Sequence, residues 1–135
     1  MDEHPNAALV RDMFSAMDRG DMQWLEEHVA DDVVWHVGGN SRSAGVYEGK
    51  DTVREMMGGV TSPEAMKADA HDFLGNDEHA VVLGTANVTA PSGKSVEYNF
   101  VNVFHIVDGM ITEAWGMSEN DAETDPVWDE FAPRS

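Results

Sequence analysis

The sequence predicts an α+β fold, a cone-shaped curved antiparallel sheet wrapped around N-terminal helices with an internal pocket. Three observations carry this. Apolar residues recur at helical spacing through the first part of the chain. From Met66 onward the chain turns into β-rich runs separated by short turns, which make neighbouring strands antiparallel. Helices first and a meander of long strands last places the helices on one face of the sheet. A bent sheet closed by helices keeps an open mouth, a natural small-molecule site.

Each element has a local reason. Pro5 opens a first helix, where its missing N–H costs nothing. Ala8, Leu9, Met13, Phe14 and Met17 make one apolar stripe through about Arg19, and Gly20 stops it. Asp21 is placed to N-cap a second short helix carrying Trp24, Leu25 and His28. "VVWHV" at 33–37 reads as a first strand and "GGNSRSAGVYEG" as a polar loop. Asp51 caps a third helix with Val53, Met56 and Met57, ending at Gly58-Gly59. Four strand-like runs follow at 66–75, 79–90, 95–107 and 110–118. Asn76-Asp77, Pro91-Ser92-Gly93 and Asp108-Gly109 separate them, and Asp108-Gly109 is a strong two-residue hairpin signal.

At 135 residues the expectation is a single domain over 1–135, with its core about 8–131 and no repeat or linker. The absence of cysteine excludes disulfides, thiolate metal sites and a Cys nucleophile. "MDEHPNAALV" has no apolar signal core and no run approaches the roughly 18 residues of a membrane span, so a cytoplasmic protein is expected. Twenty-six acidic against eight basic residues give a formal charge of −18. That field repels phosphate backbones and anionic lipids, so neither nucleic acid nor membrane is an expected partner. The acidity fits either a high-salt habitat or ordinary solubility.

The last hairpin, "FVNVFHIVDGMITEAWGMSEND", carries the functional reading. With a two-residue turn at Asp108-Gly109, 106 opposes 111, 104 opposes 113 and 102 opposes 115. One face then holds Phe100, Asn102, Phe104, Ile106, Ile111, Glu113, Trp115 and Met117, and is assigned to the helix-covered interior. The other holds Val101, Val103, His105, Val107, Met110, Thr112, Ala114 and Gly116, suited to solvent or a sheet-to-sheet dimer contact. On this register Asn102 and Glu113 sit among large apolar groups, and Glu119 follows on the same face. Buried polar groups are either paired internally or face a cavity. A carboxylate in such surroundings suits general acid or base work. The plainer alternatives are that Glu113 reaches a sheet edge and that Asn102 bonds a neighbouring backbone.

Trp35 and Trp115 serve as core or as cavity wall. Alternation points His36 and His105 away from the interior, unless a bulge, with Gly116 as its candidate place, reverses them. The histidines show neither HxH nor HExxH spacing, so no metal site is expected. There is no phosphate-binding loop, dinucleotide fingerprint or GxSxG elbow.

"RGDMQWLEEHVADDVVWHVGGNSRSAGVYEGKDTVREMM" followed by "VFHIVDGMITEAWGMSEND" resembles the SnoaL-like branch of the nuclear transport factor 2-like superfamily. The shared features are a GD pair between two helices, "DDVVW" entering the first strand, "GVYEGKD" starting a helix and "DGMITEAW" in the final hairpin. The resemblance runs from about Ala8 to Phe131 and implies a cone-shaped barrel with a deep pocket, commonly a homodimer through the sheet. The superfamily spans isomerases, cyclases, epoxide hydrolases, dehydratases and non-catalytic binders, so the fold leaves function open.

Carried over residue by residue, the ketosteroid isomerase Tyr falls on Met13, its base on Val37 and its second Asp on Asn102. Two of the three groups are lost, and isomerase activity of that type is not expected. The SnoaL-like cyclases take a carboxylate four residues past a Trp, which falls on Glu119 here, with Asn120 and Asp121 beside it. Glu in place of Asp is a departure, one methylene longer. Their assisting His corresponds to His105, which would put it in the pocket against the alternation unless the strand bulges.

The resulting expectation is a SnoaL-like enzyme moving a proton α to the carbonyl of a hydrophobic substrate, by aldol cyclisation or isomerisation. Glu119 would be the acid/base, Asn102 the oxyanion donor, and His105 or His36 an auxiliary. Trp35, Val37, Trp115, Glu113, Met13, Met17 and Asp121 would surround the substrate. No cofactor is implied. The alternative is a non-catalytic hydrophobic-ligand-binding or dimerisation module of the same fold. Epoxide hydrolysis ranks last, because the interior strands contain no Arg.

Overall fold

The computed structural model describes residues 3–58 and 66–131. Helix α1 (Pro5–Asp18) starts with His4 as N-cap, whose Nδ1 accepts from the Asn6 N–H at 3.1 Å. Arg19 closes the helix and Gly20, at φ +70°, turns the chain away. Helix α2 (Gln23–His28) runs straight into β1 (Val29–Val37). Its N-cap is Met22 without a side-chain bond, not the expected Asp21, whose carboxylate instead lies 3.5 Å from Arg19. Strand β2 (Gly45–Glu48) occupies part of the segment read as loop and pairs antiparallel with β1, Trp35 opposite Tyr47. Helix α3 (Lys50–Gly58) holds Asp51 in its first turn, 3.1 Å from Arg54; the expected stop at Gly59 lies outside the described residues.

The meander follows as β3 (Met66–Gly75), β4 (His79–Thr89), β5 (Ser95–Val107) and β6 (Met110–Ser118). A helix α4 (Asp121–Asp129), absent from the sequence expectation, ends the described chain. The six strands form one curved, open sheet in the order β2-β1-β6-β5-β4-β3. All neighbours are antiparallel except β1 and β6, which are parallel. That pair is joined through α3 and the whole meander, the long crossover a parallel pairing requires.

The turn at Asp108-Gly109 forms as expected, both residues at positive φ, with Val107 opposite Met110 and Ile106 opposite Ile111. One residue further the register changes: His105 faces Glu113, Phe104 faces Ala114 and Asn102 faces Gly116. Thr112 is the extra residue of a β-bulge. Its Oγ1 donates to the His105 carbonyl at 3.3 Å and shares a 2.9 Å hydrogen bond with His105 Nδ1. The bulge thus sits at Thr112, not at Gly116. It corrects the two-face assignment: Glu113, Trp115 and Met117 turn to the outer face, opposite His105, Val103 and Val101.

The inner face packs on α1. Val10 and Met13 meet Val82, Phe104 and Ile111 in a core from which water is excluded. Phe14 stacks on Phe100 with ring centroids 5.9 Å apart and meets Phe73 edge-on at 6.2 Å. Gly84 makes this possible, since a Cβ there would lie 2.7 Å from Phe100 Cζ and 2.6 Å from the Asp69 carbonyl oxygen.

Candidate functional site

Between the concave face of the sheet and the helices lies a cavity of about 540 Å³, within the roughly 300–1,000 Å³ of small-molecule sites. Strand alternation builds its floor: Trp35 and Val37 from β1, and Tyr98, Phe100 and Asn102 from every second position of β5. Helix α1 adds Met13 and Phe14 and, one turn on, Met17 from its inward side. The exposed Asp18, Thr52, Glu55 and Lys67 form a polar rim.

The remaining wall is a strap made of the 38–44 loop and α4. The Asp125 carboxylate accepts from the Asn40 N–H at 3.1 Å, and Asp129 Oδ1 from the Arg42 N–H at 2.6 Å. Ser43 Oγ donates to the Trp128 carbonyl at 2.9 Å, and Tyr47 donates to the Ser43 carbonyl. These bonds hold Trp128 and Phe131 over the cavity.

Two polar groups of the floor stand out because they make no hydrogen bond among the described residues: the Tyr98 hydroxyl and the Asn102 amide. No described side-chain nitrogen or oxygen is both fully buried and without a partner, so both groups open onto the cavity. Burial pushes the Tyr98 phenol up to about 12, which keeps it a neutral donor. Gly116, opposite Asn102, leaves room for the amide; a Cβ there would stand 3.3 Å from Asn102 Oδ1.

Of the residues singled out in the sequence, Asn102, Trp35, Val37, Met13 and Met17 line this cavity. The three positions equivalent to the isomerase groups, Met13, Val37 and Asn102, therefore converge on one space. Glu119 lies elsewhere: its Oε1 accepts from the backbone N–H and Nδ2 of Asn99 at 3.2 and 2.8 Å on the exposed side of β5. His105 is on the outer face, its ring 5.1 Å from that of His79. His36 Nε2 is 2.6 Å from Glu113 Oε2 and its ring stacks on Trp115 at 5.3 Å, again on the outer face. Asp121 accepts from Ser118 Oγ at 3.0 Å at the start of α4. The bulge and the strict alternation of β1 are the physical reason that this outer group is separated from the cavity.

Tyr98, Trp128 and Phe131 were not anticipated. Tyr98 shares the parity of Phe100 and Asn102, so extending the alternation by one more pair finds it. Trp128 and Phe131 show only an i, i+3 spacing, too short a signal to announce a helix. Among the described residues no group of three or more His, Asp or Glu is arranged to hold a metal ion, and no helix is long and apolar enough to cross a membrane.

The chain is 27% identical over 130 residues to an uncharacterized protein of Mycobacterium tuberculosis, covering 95% of this chain and 99% of that one. Among solved structures it is similar to Bal32a from a soil-derived mobile gene cassette, at TM-score 0.83 and 24% identity over 91% of this chain and 95% of that one. It is also similar to IdmH, a putative polyketide cyclase from Streptomyces antibioticus, at TM-score 0.70 and 21% identity over 90% and 96%. Both structural likenesses speak for the fold. The model of the SnoaL-like domain matches residues 10–114, most of the chain. The chain belongs to the SnoaL-like domain family.

Proposed function

We propose that the cavity binds a neutral, largely apolar small molecule bearing a carbonyl or hydroxyl oxygen, with Asn102 and Tyr98 as its hydrogen-bond contacts. The observation that carries this reading is the pair of polar groups, without a hydrogen-bond partner among the described residues, in a largely apolar chamber. A bound oxygen would give these groups a hydrogen-bond partner inside the cavity. Neutrality follows from charge: the chain carries −18, and the described part of the rim offers Asp18 and Glu55 against Lys67. A thermal-shift screen with polycyclic ketones and phenols tests it. An oxygenated compound should raise the melting temperature, less so in Asn102→Leu; equal shifts with hydrocarbons of the same shape would remove the polar contacts from the reading.

A second reading, proton transfer α to a carbonyl as in aldol cyclisation or isomerisation, is favoured by the convergence of Met13, Val37 and Asn102 on the cavity. Asn102 would polarise the carbonyl. Among the described residues the cavity-lining carboxylates are Asp18 and Glu55, both at the rim. Glu119 reaches a substrate only if the end of β6 turns inward. Deuterium exchange at an α-carbon, lost in Glu119→Gln while binding persists, would establish catalysis; binding without exchange leaves the first reading. We also propose a homodimer through the outer sheet face, supported by its apolar residues Val81, Val101, Val103 and Trp115.

A further inference from the structure

Six of the nine methionines in the chain line the cavity: Met13, Met17, Met56, Met57, Met66 and Met117. The chain has only four leucines, and none of them is in the lining. Leucine would give the same apolar wall, so hydrophobicity alone does not explain the choice. Thioethers give a deformable wall. With no cysteine present, the methionines supply all of the chain's oxidisable sulfur. Their exposure is graded: Met13 and Met57 are buried, Met17, Met56 and Met66 are half-buried, and Met117, at the margin between the cavity and the outer face, is exposed.

We propose that this wall is an oxidant-responsive modification site, in which conversion of Met17, Met56 and Met66 to sulfoxides expels an apolar ligand. The inference rests on the binding reading above. The oxidant is a hydroperoxide from solvent. A sulfur lone pair attacks one peroxide oxygen, the S–O bond forms as the O–O bond breaks, and the other oxygen leaves, once proton transfer is complete, as water from hydrogen peroxide or as the alcohol from an organic hydroperoxide. Sulfur is oxidised by two electrons and the peroxide reduced by two. A sulfoxide reductase using a dithiol reverses the step, releasing the oxygen as water and leaving a disulfide on the reductant. Each sulfoxide adds a strongly polar acceptor to a wall of thioethers and aromatic rings. An apolar ligand must then cover an unpaired acceptor, which lowers affinity about tenfold for each 1.4 kcal/mol lost.

The test uses the full chain and a neutral apolar fluorophore as probe. Reduced protein should bind the dye. After mild hydrogen peroxide, peptide mass mapping should place one added oxygen on each of Met17, Met56 and Met66 before Met13 and Met57, with dye affinity reduced at least about tenfold. Treatment with sulfoxide reductase and dithiothreitol should restore binding. A Met17→Leu, Met56→Leu, Met66→Leu variant, whatever its starting affinity, should keep that affinity through the peroxide step. Oxidation of these three residues with unchanged affinity overturns the inference and leaves the binding reading standing. So does oxygen found on Met22 and Met110 while the three resist. Reduced, folded protein that binds no dye overturns the binding reading and the inference together.

Discussion

Tyr98 shows how one side chain ties the cavity to the stability of the chain. Its phenol ionises near the ordinary 10.0 when unfolded and near about 12 when folded, because burial penalises the phenolate. The unfolded chain therefore releases this proton first. Stability present in full below about pH 10 falls as pH rises through the folded value near about 12. Two pH units correspond to about 2.7 kcal/mol. Urea unfolding at about pH 9 and about pH 11.5 should show a loss near 2 kcal/mol in the native sequence that Tyr98→Phe does not share. Equal losses would mean that Tyr98 ionises freely in the fold. Asn102→Leu, at a position open to the cavity, should shift the stability of the ligand-free protein by less than about 1 kcal/mol in the same melts while weakening any oxygen-bearing ligand.

At the scale of elements, β4 packs tightly between β3 and β5 at Gly84. Gly84→Ala would force its Cβ into the Phe100 ring and the Asp69 carbonyl, 2.7 and 2.6 Å away. Backbone cannot yield as a flexible side-chain tip does, so a loss of about 2 kcal/mol is expected in a denaturant titration. The His36–Glu113 pair looks stronger than it is. Despite 2.6 Å between Nε2 and Oε2, its side chains are 33% and 36% exposed. Glu113→Gln should therefore change stability by less than about 1 kcal/mol. Both residues also show where sequence reading succeeds and fails. Strict alternation was legible wherever no residue is inserted: β4 buries every second side chain from Ala80 to Val88, and Phe100, Asn102 and Phe104 point inward as read. It failed beyond Thr112, because the bulge depends on hydroxyl and imidazole contacts with His105 across the hairpin, which no local pattern encodes. β2 went unread because its four residues are strand only through pairing with β1. α4 went unread because Pro126 and its acidic residues mask a helix held by the 38–44 loop.

For the whole molecule the decisive balance is between net charge and the apolar outer face of the sheet. Val46, Leu74 and Met117 are 58%, 55% and 47% exposed there, around the half-buried Val101, Val103 and Trp115. Covering that face with a second copy would remove apolar surface from water at about 25 cal/mol per Å². It would also bring together two chains of charge −18 each. Opposing that repulsion is a matter of screening, since the Debye length shrinks from about 10 Å at 0.1 M salt to about 3 Å at 1 M. The proposed dimer should accordingly tighten as salt rises, the reverse of an interface held by ion pairs. Sedimentation equilibrium at low and high salt measures this directly. Val103→Glu, at the centre of the face, would set a carboxylate against its symmetry mate and should yield monomer at both salts with the fold retained. A native chain that is monomeric at every salt concentration would show that the face is covered by something other than its own copy or stays in water. Tightening with salt, lost in Val103→Glu, would identify the outer face as the place where the chain's hydrophobic surface outweighs its charge.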